Sequence, residues 1–177
     1  YPFSGYWADI GTIRSFYEAN LDLTANLPRF NFYQESNPIY TQAQFLPGSK
    51  MHDCHLQQSV ISEGSILDCS DIKNSVIGIR SRIGYETTID HSYIMGADFY
   101  ETLEQIQDNA HHHVPNIGIG DHATITHAII DTNVRIGNNV VIGNARERAD
   151  FDGENYCVRD GIVVIPQNAI IPDGTII

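Results

Sequence analysis

Residues 119–142 read IGDHATITHAIIDTNVRIGNNVVI, and isoleucine recurs in them about once every six residues. The anchors stand at intervals of 6, 5, 6 and 6 and are Ile119, Ile125, Ile130, Ile136 and Ile142. The same intervals occur 53 positions earlier, at Ile66, Ile72, Ile77, Ile83 and Ile89. A helix repeats every ~3.6 residues and a half-buried strand every ~2, so neither produces this spacing. The pattern instead predicts short strands that turn at regular intervals.

A six-residue period with one inward aliphatic residue per repeat is typical of a parallel β-helix. Three such hexads form one triangular coil, and the aliphatic column fills its interior. Small polar residues and glycine suit the corners, because a Cβ is costly there. The candidates are Gly78, Asn74, Asn138 and Asn139. A third series, Ile165, Ile170 and Ile176, continues the pattern. The sequence therefore predicts an all-β solenoid over residues 49–177.

Two segments interrupt the repeat. Residues 97–116 contain Thr102 and Gln105 at the spacing of a capping box, which predicts a short helix ejected from the solenoid. Residues 144–160 are rich in charge, and we expect a loop that leaves the solenoid and returns to it.

The residues before the repeat have a different pattern. Ile13, Phe16, Tyr17 and Leu21 have the spacing of one helical face, and Thr12 can cap that helix. Residues 25–48 hold three prolines and scattered aromatic residues without a sustained period, which predicts an extended linker. The predicted organisation is a helical segment over 1–24, a linker over 25–48 and the solenoid over 49–177.

Charge and composition exclude several classes of partner. The 177 residues carry a net charge of −12, which repels phosphate backbones and anionic lipid, so we expect no nucleic-acid and no membrane partner. No apolar run approaches the roughly 20 residues of a transmembrane helix, and the start lacks a targeting signal. Cys54, Cys69 and Cys157 form no CxxC pair, which favours free thiols in a reducing compartment. The aromatic-rich start without methionine suggests a piece of a longer protein.

Histidines suggest a free-standing β-helix enzyme as an alternative function. His91, His122 and His127 resemble the ligands of γ-class carbonic anhydrases, which bind zinc between subunits through an H-x4-H pair and a distant histidine. His122 stands one position later than that pattern requires. A hexapeptide acyltransferase, with a histidine as general base, is a second option, although nothing singles out one of the eight histidines. The competing interpretation of these residues is a solvated surface.

Motifs spread over the whole chain resemble a single family. Residues 5–13 read GYWADIGTI, and FYEANL follows at 16–21. Further motifs are PIYT at 38–41, FLP at 45–47, MGAD at 95–98, YET at 100–102, RIG at 135–137 and GIVV at 161–164. Together they resemble, in the family's order, the C-terminal part of glucose-1-phosphate adenylyltransferases, also called ADP-glucose pyrophosphorylases. That region of the family is a left-handed β-helix, so the resemblance adds a left hand to the predicted solenoid.

The resemblance implies a role within a larger enzyme. The family joins ATP and glucose 1-phosphate into ADP-glucose and pyrophosphate with the help of Mg²⁺, in glycogen and starch synthesis. By resemblance Asp9 is a metal ligand, Trp7 lies beside the sugar pocket, and residues 1–24 are the tail of the catalytic domain. The nucleotide loop and the catalytic basic residues of the family belong to an N-terminal domain that this sequence lacks, so we expect the chain alone to be inactive. The resemblance further implies a homotetramer in the cytoplasm, or in the plastid of a plant, and leaves open a regulatory paralogue without activity.

The same resemblance implies an allosteric site for an anionic metabolite such as 3-phosphoglycerate. The candidate contacts are Lys50, Arg80, Arg159 and Gln42. Plant-like members carry basic residues where this sequence has Gln44, Thr132 and Gln167. Each lost cation removes a charge-assisted contact worth roughly 1.5–3 kcal/mol, so we expect a weak or altered response to 3-phosphoglycerate.

Overall fold

The computed structural model describes residues 2–36, 38–68, 70–143 and 149–177. The helices are α1 Ile13–Asp22 and α2 Leu103–His112. The strands, in chain order, are β1 Lys50–His52, β2 His55–Gln57, β3 Val60–Ile61, β4 Ile66–Asp68, β5 Asp71–Lys73, β6 Val76–Ile77, β7 Arg82–Ile83, β8 Thr88–Asp90, β9 Tyr93–Ile94, β10 Gly118–Ile119, β11 Thr124–Thr126, β12 Ala128–Ile130, β13 Arg135–Ile136, β14 Val141–Ile142, β15 Phe151–Asp152, β16 Cys157–Arg159, β17 Ile162–Ile165 and β18 Ile170–Ile171.

The strands form three sheets that wrap one core. Sheet A contains β1, β4, β7, β10, β13 and β18 in spatial order, sheet B contains β2, β5, β8, β11 and β14, and sheet C contains β3, β6, β9, β12, β17, β16 and β15. Successive strands belong to successive sheets, so the chain circles the core and returns one strand spacing further along. Coils 1 to 4 are β1–β3, β4–β6, β7–β9 and β10–β12; coil 5 is β13, β14 and β17, and β18 begins coil 6. This arrangement confirms the predicted parallel β-helix. We name its turns the AB, BC and CA corners after the sheets that they join.

In β4–β14, β17 and β18 one aliphatic residue per strand points into the core, and these residues stack in register from coil to coil. Each is at most 5% exposed. The column of sheet A is Leu67, Ile83, Ile119, Ile136 and Ile171; that of sheet B is Ile72, Ile89, Ile125 and Ile142; that of sheet C is Ile77, Ile94, Ile130 and Ile165. Burying this much aliphatic surface is the main source of stability in the fold.

Three predicted anchors are wrong by one residue. The inward residues are Leu67, Ile171 and Ile177, at 1%, 2% and 3% exposure, and not their neighbours Ile66, Ile170 and Ile176. Each error falls on an adjacent apolar pair, of which strand alternation buries one member and exposes the other. With the correct residues, the spacing after Ile165 becomes six and six.

Positive φ angles turn the chain at most corners. Asn74 and Asn139 adopt φ of 46° and 56°, in agreement with their predicted corner positions. A Cβ on Gly78 would lie 2.1 Å from a carbonyl oxygen of the next coil, so that corner requires glycine. Asn138 contributes through its side chain and not through a positive φ. Its side-chain oxygen accepts a hydrogen bond from the backbone amide of Asp121 at 2.8 Å, which links coil 5 to coil 4.

Buried hydroxyls also connect neighbouring coils. Thr87, fully buried at the AB corner, donates to the carbonyl oxygen of Gly120 at 2.7 Å and accepts the amide of Ala123 at 3.1 Å. Ser92, at the BC corner, accepts the amide of Ala128 at 3.3 Å. These bonds cross from coil 3 to coil 4, between which residues 97–116 are inserted, and hold the two coils in register.

The insertion carries the predicted helix. Thr102 and Gln105 form the capping box at the start of α2, and α2 extends to His112. The base of the insertion is held by Glu101, whose side chain is 3% exposed. One of its oxygens lies 2.7 Å from Nη1 of Arg135, and the other accepts the amide of Ile117 at 2.8 Å. The insertion is therefore fixed to β13 by a buried ion pair.

The second interruption is more ordered than the predicted loop. Residues 149–160 contain β15 and β16, an antiparallel hairpin that extends sheet C beyond β17. Val158 is 1% exposed and belongs to the core, so the hairpin adds apolar cover at the C-terminal end of the solenoid. The rest of that prediction, residues 144–148, lies outside the described residues.

Helix α1 packs on the outer face of sheet C. Thr12 caps it as predicted, and Tyr17 is buried against Ile129 and Ile162. The hydroxyl of Tyr17 donates to the backbone carbonyl of His91 at the BC corner. Between α1 and β1 the described residues form neither helix nor strand. Both described helices have ten residues, and neither is long and apolar enough to cross a bilayer.

Candidate functional site

The three histidines with zinc-ligand spacing lie on two different corners. His91 and His127 stack at the BC corner, with ring centroids 5.1 Å apart and planes at 5°. His122 lies at the AB corner, where Nδ1 is 3.2 Å from a carboxylate oxygen of Glu86. All three histidines have positive φ, so each is a turn residue of the solenoid. Within the described ranges, no group of three or more His, Cys, Asp or Glu residues could hold a metal.

Asp9 and Trp7 lie in the exposed segment just before α1. Trp7 is 74% exposed. One carboxylate oxygen of Asp9 accepts the amide of Gly11 at 2.9 Å, which leaves the other oxygen without a role in this turn. An exposed carboxylate suits Mg²⁺ as a single ligand. Among the described residues, Asp9 belongs to no group of three or more His, Cys, Asp or Glu side chains that could hold a metal ion.

The CA corner brings the linker against Arg80. The guanidinium of Arg80 donates to the side-chain oxygen of Gln44 at 3.3 Å and to the backbone oxygen of Ala97 at 3.4 Å. It also lies 6.0 Å from the centroid of the Tyr100 ring. All of these partners are neutral, so they hold the guanidinium in place without cancelling its charge. A cation held by neutral groups can still bind an anion.

Tyr100, at the start of the insertion, packs against the CA corner beside Arg80. Its hydroxyl donates to the carbonyl oxygen of Gly64 at 2.7 Å, and a Cβ on Gly64 would lie 2.3 Å from that hydroxyl. Gly64 also has a φ of 72°, so both the lack of space for a Cβ and the backbone conformation require glycine there. The linker residue Leu46 lies against the same glycine. Linker, insertion and solenoid therefore meet at one point.

Gln44, Thr132 and Gln167, the uncharged residues that the resemblance singled out, follow the same corner. Thr132 lies between β12 and β13, and Gln167 lies between β17 and β18; both turns therefore join sheet C to sheet A and are CA turns. The amide of Asn168 donates to the carbonyl of Thr132 at 3.1 Å, which stacks the two turns directly. With Gln44 beside Arg80, all three neutral replacements lie along one edge of the prism. Thr132 and Gln167 share a place between a strand of sheet C and a strand of sheet A, whereas Gln44 lies in the linker before β1.

The proposed regulator contacts do not all come together. Lys50 begins β1 just after the CA corner, about two strand spacings or 10 Å from Arg80 along the axis. Gln42 lies two residues before Gln44 in the linker. Arg159 is on β16, about five strand spacings or 24 Å from coil 1. Its guanidinium pairs with Asp152, which raises the pKa of Arg159 above its usual value.

Sequence reasoning missed a cavity of about 570 Å³ between α2 and the outer face of sheet A. Arg82, Asp121 and Asp173 line it together with apolar residues of the insertion, including Ile106 and Pro115. Arg82 precedes an inward isoleucine, so the repeat could have placed it on the outer face. The position of α2 above it could not be read from the repeat.

These features define a class of protein: a solenoid of hexapeptide coils with a linker and an insertion meeting at one basic corner. The model of the GLGC left-handed parallel beta-helix domain matches residues 44–176. The chain therefore belongs to this family, which is the C-terminal domain of glucose-1-phosphate adenylyltransferase. The match confirms both the resemblance and the left hand of the helix.

Proposed function

We propose that this chain is the regulatory and oligomerisation region of a glucose-1-phosphate adenylyltransferase, which makes ADP-glucose and pyrophosphate from ATP and glucose 1-phosphate. The observation that carries the proposal is the family match over residues 44–176. The motif GYWADIGTI, directly before α1, supports the attachment of a catalytic domain on the N-terminal side. The chain by itself is inactive under this proposal, and the parent enzyme works in the cytoplasm, or in the plastid of a plant.

In the parent enzyme, Asp9 contributes one oxygen ligand to Mg²⁺, and Trp7 borders the sugar pocket. The ion supplies charge neutralisation at the phosphates when it is bound. The role of this chain is to hold the Asp9 carboxylate in place. The Gly11 amide orients that carboxylate, and α1 fixes the segment to sheet C through Tyr17.

The regulator of the parent enzyme binds at the CA corner, with Arg80 as its principal cation and Lys50 and Gln42 as outer contacts. Arg80 is favoured because its partners are neutral, whereas Arg159 already pairs with Asp152. With Gln44, Thr132 and Gln167 uncharged, the corner attracts a phosphorylated metabolite less strongly than a corner with three more cations. The proposal therefore includes a weak response to 3-phosphoglycerate.

The test begins with the size of the native polypeptide in its source cell, by immunoblot with an antibody against this chain. We expect a band larger than 19.8 kDa by a nucleotide-binding domain, on the order of 200 residues. The immunoprecipitate should form ADP-glucose from ATP and glucose 1-phosphate with Mg²⁺. A larger band without activity, even with its copurified partners, would identify a regulatory paralogue. A band at 19.8 kDa would refute the proposal.

A further inference from the structure

The cavity between α2 and sheet A has a backbone floor and an apolar roof. Gly84, Gly120 and Gly137 follow the inward residues of β7, β10 and β13, so the outer face of the sheet carries no side chain at these three places. Ile106 of α2 and Pro115, just after that helix, line the opposite wall. Small-molecule sites combine such apolar walls with a few charged groups that orient the ligand. At about 570 Å³ the cavity has room for a small molecule.

Charged groups stand at two edges of this cavity. Arg82, the first residue of β7, lies on the side of the CA corner, whereas Asp121 and Asp173 follow β10 and β18 at the AB corner. Within the described part of the chain, the side chain of Arg82 makes no hydrogen bond or ion pair. Oδ1 of Asp121 accepts the amide of Tyr85 at 2.8 Å. Oδ1 of Asp173 accepts the amide of Asn138 at 2.8 Å. The guanidinium and the second oxygen of each carboxylate are therefore available to a ligand.

The charges of these groups restrict the ligand. A third carboxylate of the cavity, that of Asp68, already pairs with His52, whose Nδ1 lies 2.9 Å from it. The two remaining aspartates outnumber Arg82, so an anion such as phosphate is disfavoured there. A diamine would satisfy the aspartates but leave the guanidinium without a counter-ion. A ligand with two ammonium groups and one carboxylate matches all three charges.

We propose that the cavity binds a basic α-amino acid of the size of lysine. Arg82 and Gly84 are two residues apart on one face, about 7 Å, and Oδ1 of Asp121 lies against the Cβ position of Gly84. The α-carboxylate and the α-ammonium of one amino acid can therefore contact Arg82 and Asp121 together. Asp173 follows a strand two spacings further along the axis, about 10 Å. Six bonds separate the two nitrogens of lysine, and a hydrogen bond of about 2.8 Å at each end completes that span.

A series of four compounds tests the three contacts on the unsubstituted chain. L-Lysine carries all three charged groups; cadaverine lacks the carboxylate, 6-aminohexanoate lacks the α-ammonium, and norleucine lacks the terminal ammonium. In NMR titrations of the isotope-labelled chain, L-lysine should shift the amides of Gly84, Gly120 and Gly137 with a dissociation constant of about 1 mM or lower. Each analogue should bind about tenfold more weakly, because it loses one charge-assisted contact.

Three results would overturn the proposal. The first is the absence of saturable shifts at these glycines with L-lysine up to about 10 mM. The second is equal binding of all four compounds. The third is a response of the same amides to inorganic phosphate but not to L-lysine, which would show an anion site. The titration needs no enzyme activity, so its outcome is independent of the proposed function.

Matched variants assign the contacts. Arg82→Gln should remove the preference for L-lysine over cadaverine, and Arg82→Lys should keep most of it. Asp173→Asn keeps the acceptor for the Asn138 amide but removes the charge, so L-lysine should bind no better than norleucine. Glu104→Gln is the control, because it removes an exposed carboxylate of α2 that is not among the described residues of the cavity wall. Each ratio compares two ligands on one variant, so partial unfolding does not imitate the result. Equal losses of L-lysine binding from Asp173→Asn and Glu104→Gln would refute the site.

Discussion

Glu101→Gln should be among the most damaging single substitutions in the solenoid. The carboxylate of Glu101 accepts from Nη1 of Arg135 at 2.7 Å, from the side-chain amide of Asn109 at 2.7 Å and from the amide of Ile117 at 2.8 Å. Glutamine keeps the shape but replaces one oxygen by a donor, which then faces another donor. It also leaves Arg135, whose side chain is 20% exposed, without its counter-ion. Breaking one side of a buried pair costs about 3–5 kcal/mol.

The loss should be local, because each coil contacts only its neighbours. The readout is therefore hydrogen exchange at the Ile117 amide, which we expect to accelerate by about a hundredfold or more, together with urea unfolding followed by circular dichroism. Glu104→Gln is the matched control, since Glu104 is an exposed glutamate in the first turn of α2 and its removal should cost only about 0.3–1 kcal/mol. An effect of Glu101→Gln within 1 kcal/mol of that control, roughly one tenfold change in exchange, would refute the reasoning.

Three further outcomes are expected. Thr87→Val keeps the shape of the side chain but removes the hydroxyl that joins coils 3 and 4, so urea unfolding should show a loss of about 1–3 kcal/mol; a neutral result would mean that the two backbone groups find other partners. His55 lowers the pKa of Asp71 below 3.8, so this contribution to stability is full well above that pH and is lost as pH falls through the depressed pKa. Acid titration of Asp71→Asn should therefore show a smaller loss of stability below pH 3.8 than the unsubstituted chain, and identical acid profiles would contradict this. Arg80→Gln should weaken binding of inorganic phosphate by about tenfold in NMR titration, whereas Arg159→Gln should not; equal losses would exclude the CA corner as the anion site.

The isoleucine period predicted the architecture because each coil requires the same pattern of inward aliphatic side chains. A six-residue repeat that buries one side chain per strand fits few folds other than a β-helix. The start of α2 was predictable for another reason, because Thr102 caps the helix through contacts within its own first turn. The period could not choose between Ile66 and Leu67, since both are apolar and adjacent. That choice depends on the neighbouring coil, where Leu67 pairs with Ile83.

The candidate site was less predictable than the fold. The resemblance named Arg80 and Arg159 together, but chain position carries no information on where a 20-residue insertion or a hairpin folds back. The antiparallel pairing of β15 and β16 moved Arg159 beyond coil 5 and gave it Asp152 as a partner. Arg80 kept neutral partners because the linker returns along the CA corner and places Gln44 there. Both outcomes depend on tertiary contacts between segments that are distant in sequence.

The CA corner is connected to the segment that contains Asp9 through sheet C and helix α1. The corner is built from the ends of the sheet C strands, and α1 packs on the outer face of the same sheet. Tyr17 and Phe16 of α1 contact β9 and β12 or the turn before β9, and the Gly96 turn of the CA corner follows β9 directly. The interior columns are closely packed, so a sheet of this kind shifts as a unit more readily than it deforms. If an anion binds at Arg80, as proposed above, sheet C and α1 are the parts of the chain that connect its site with the Asp9 segment.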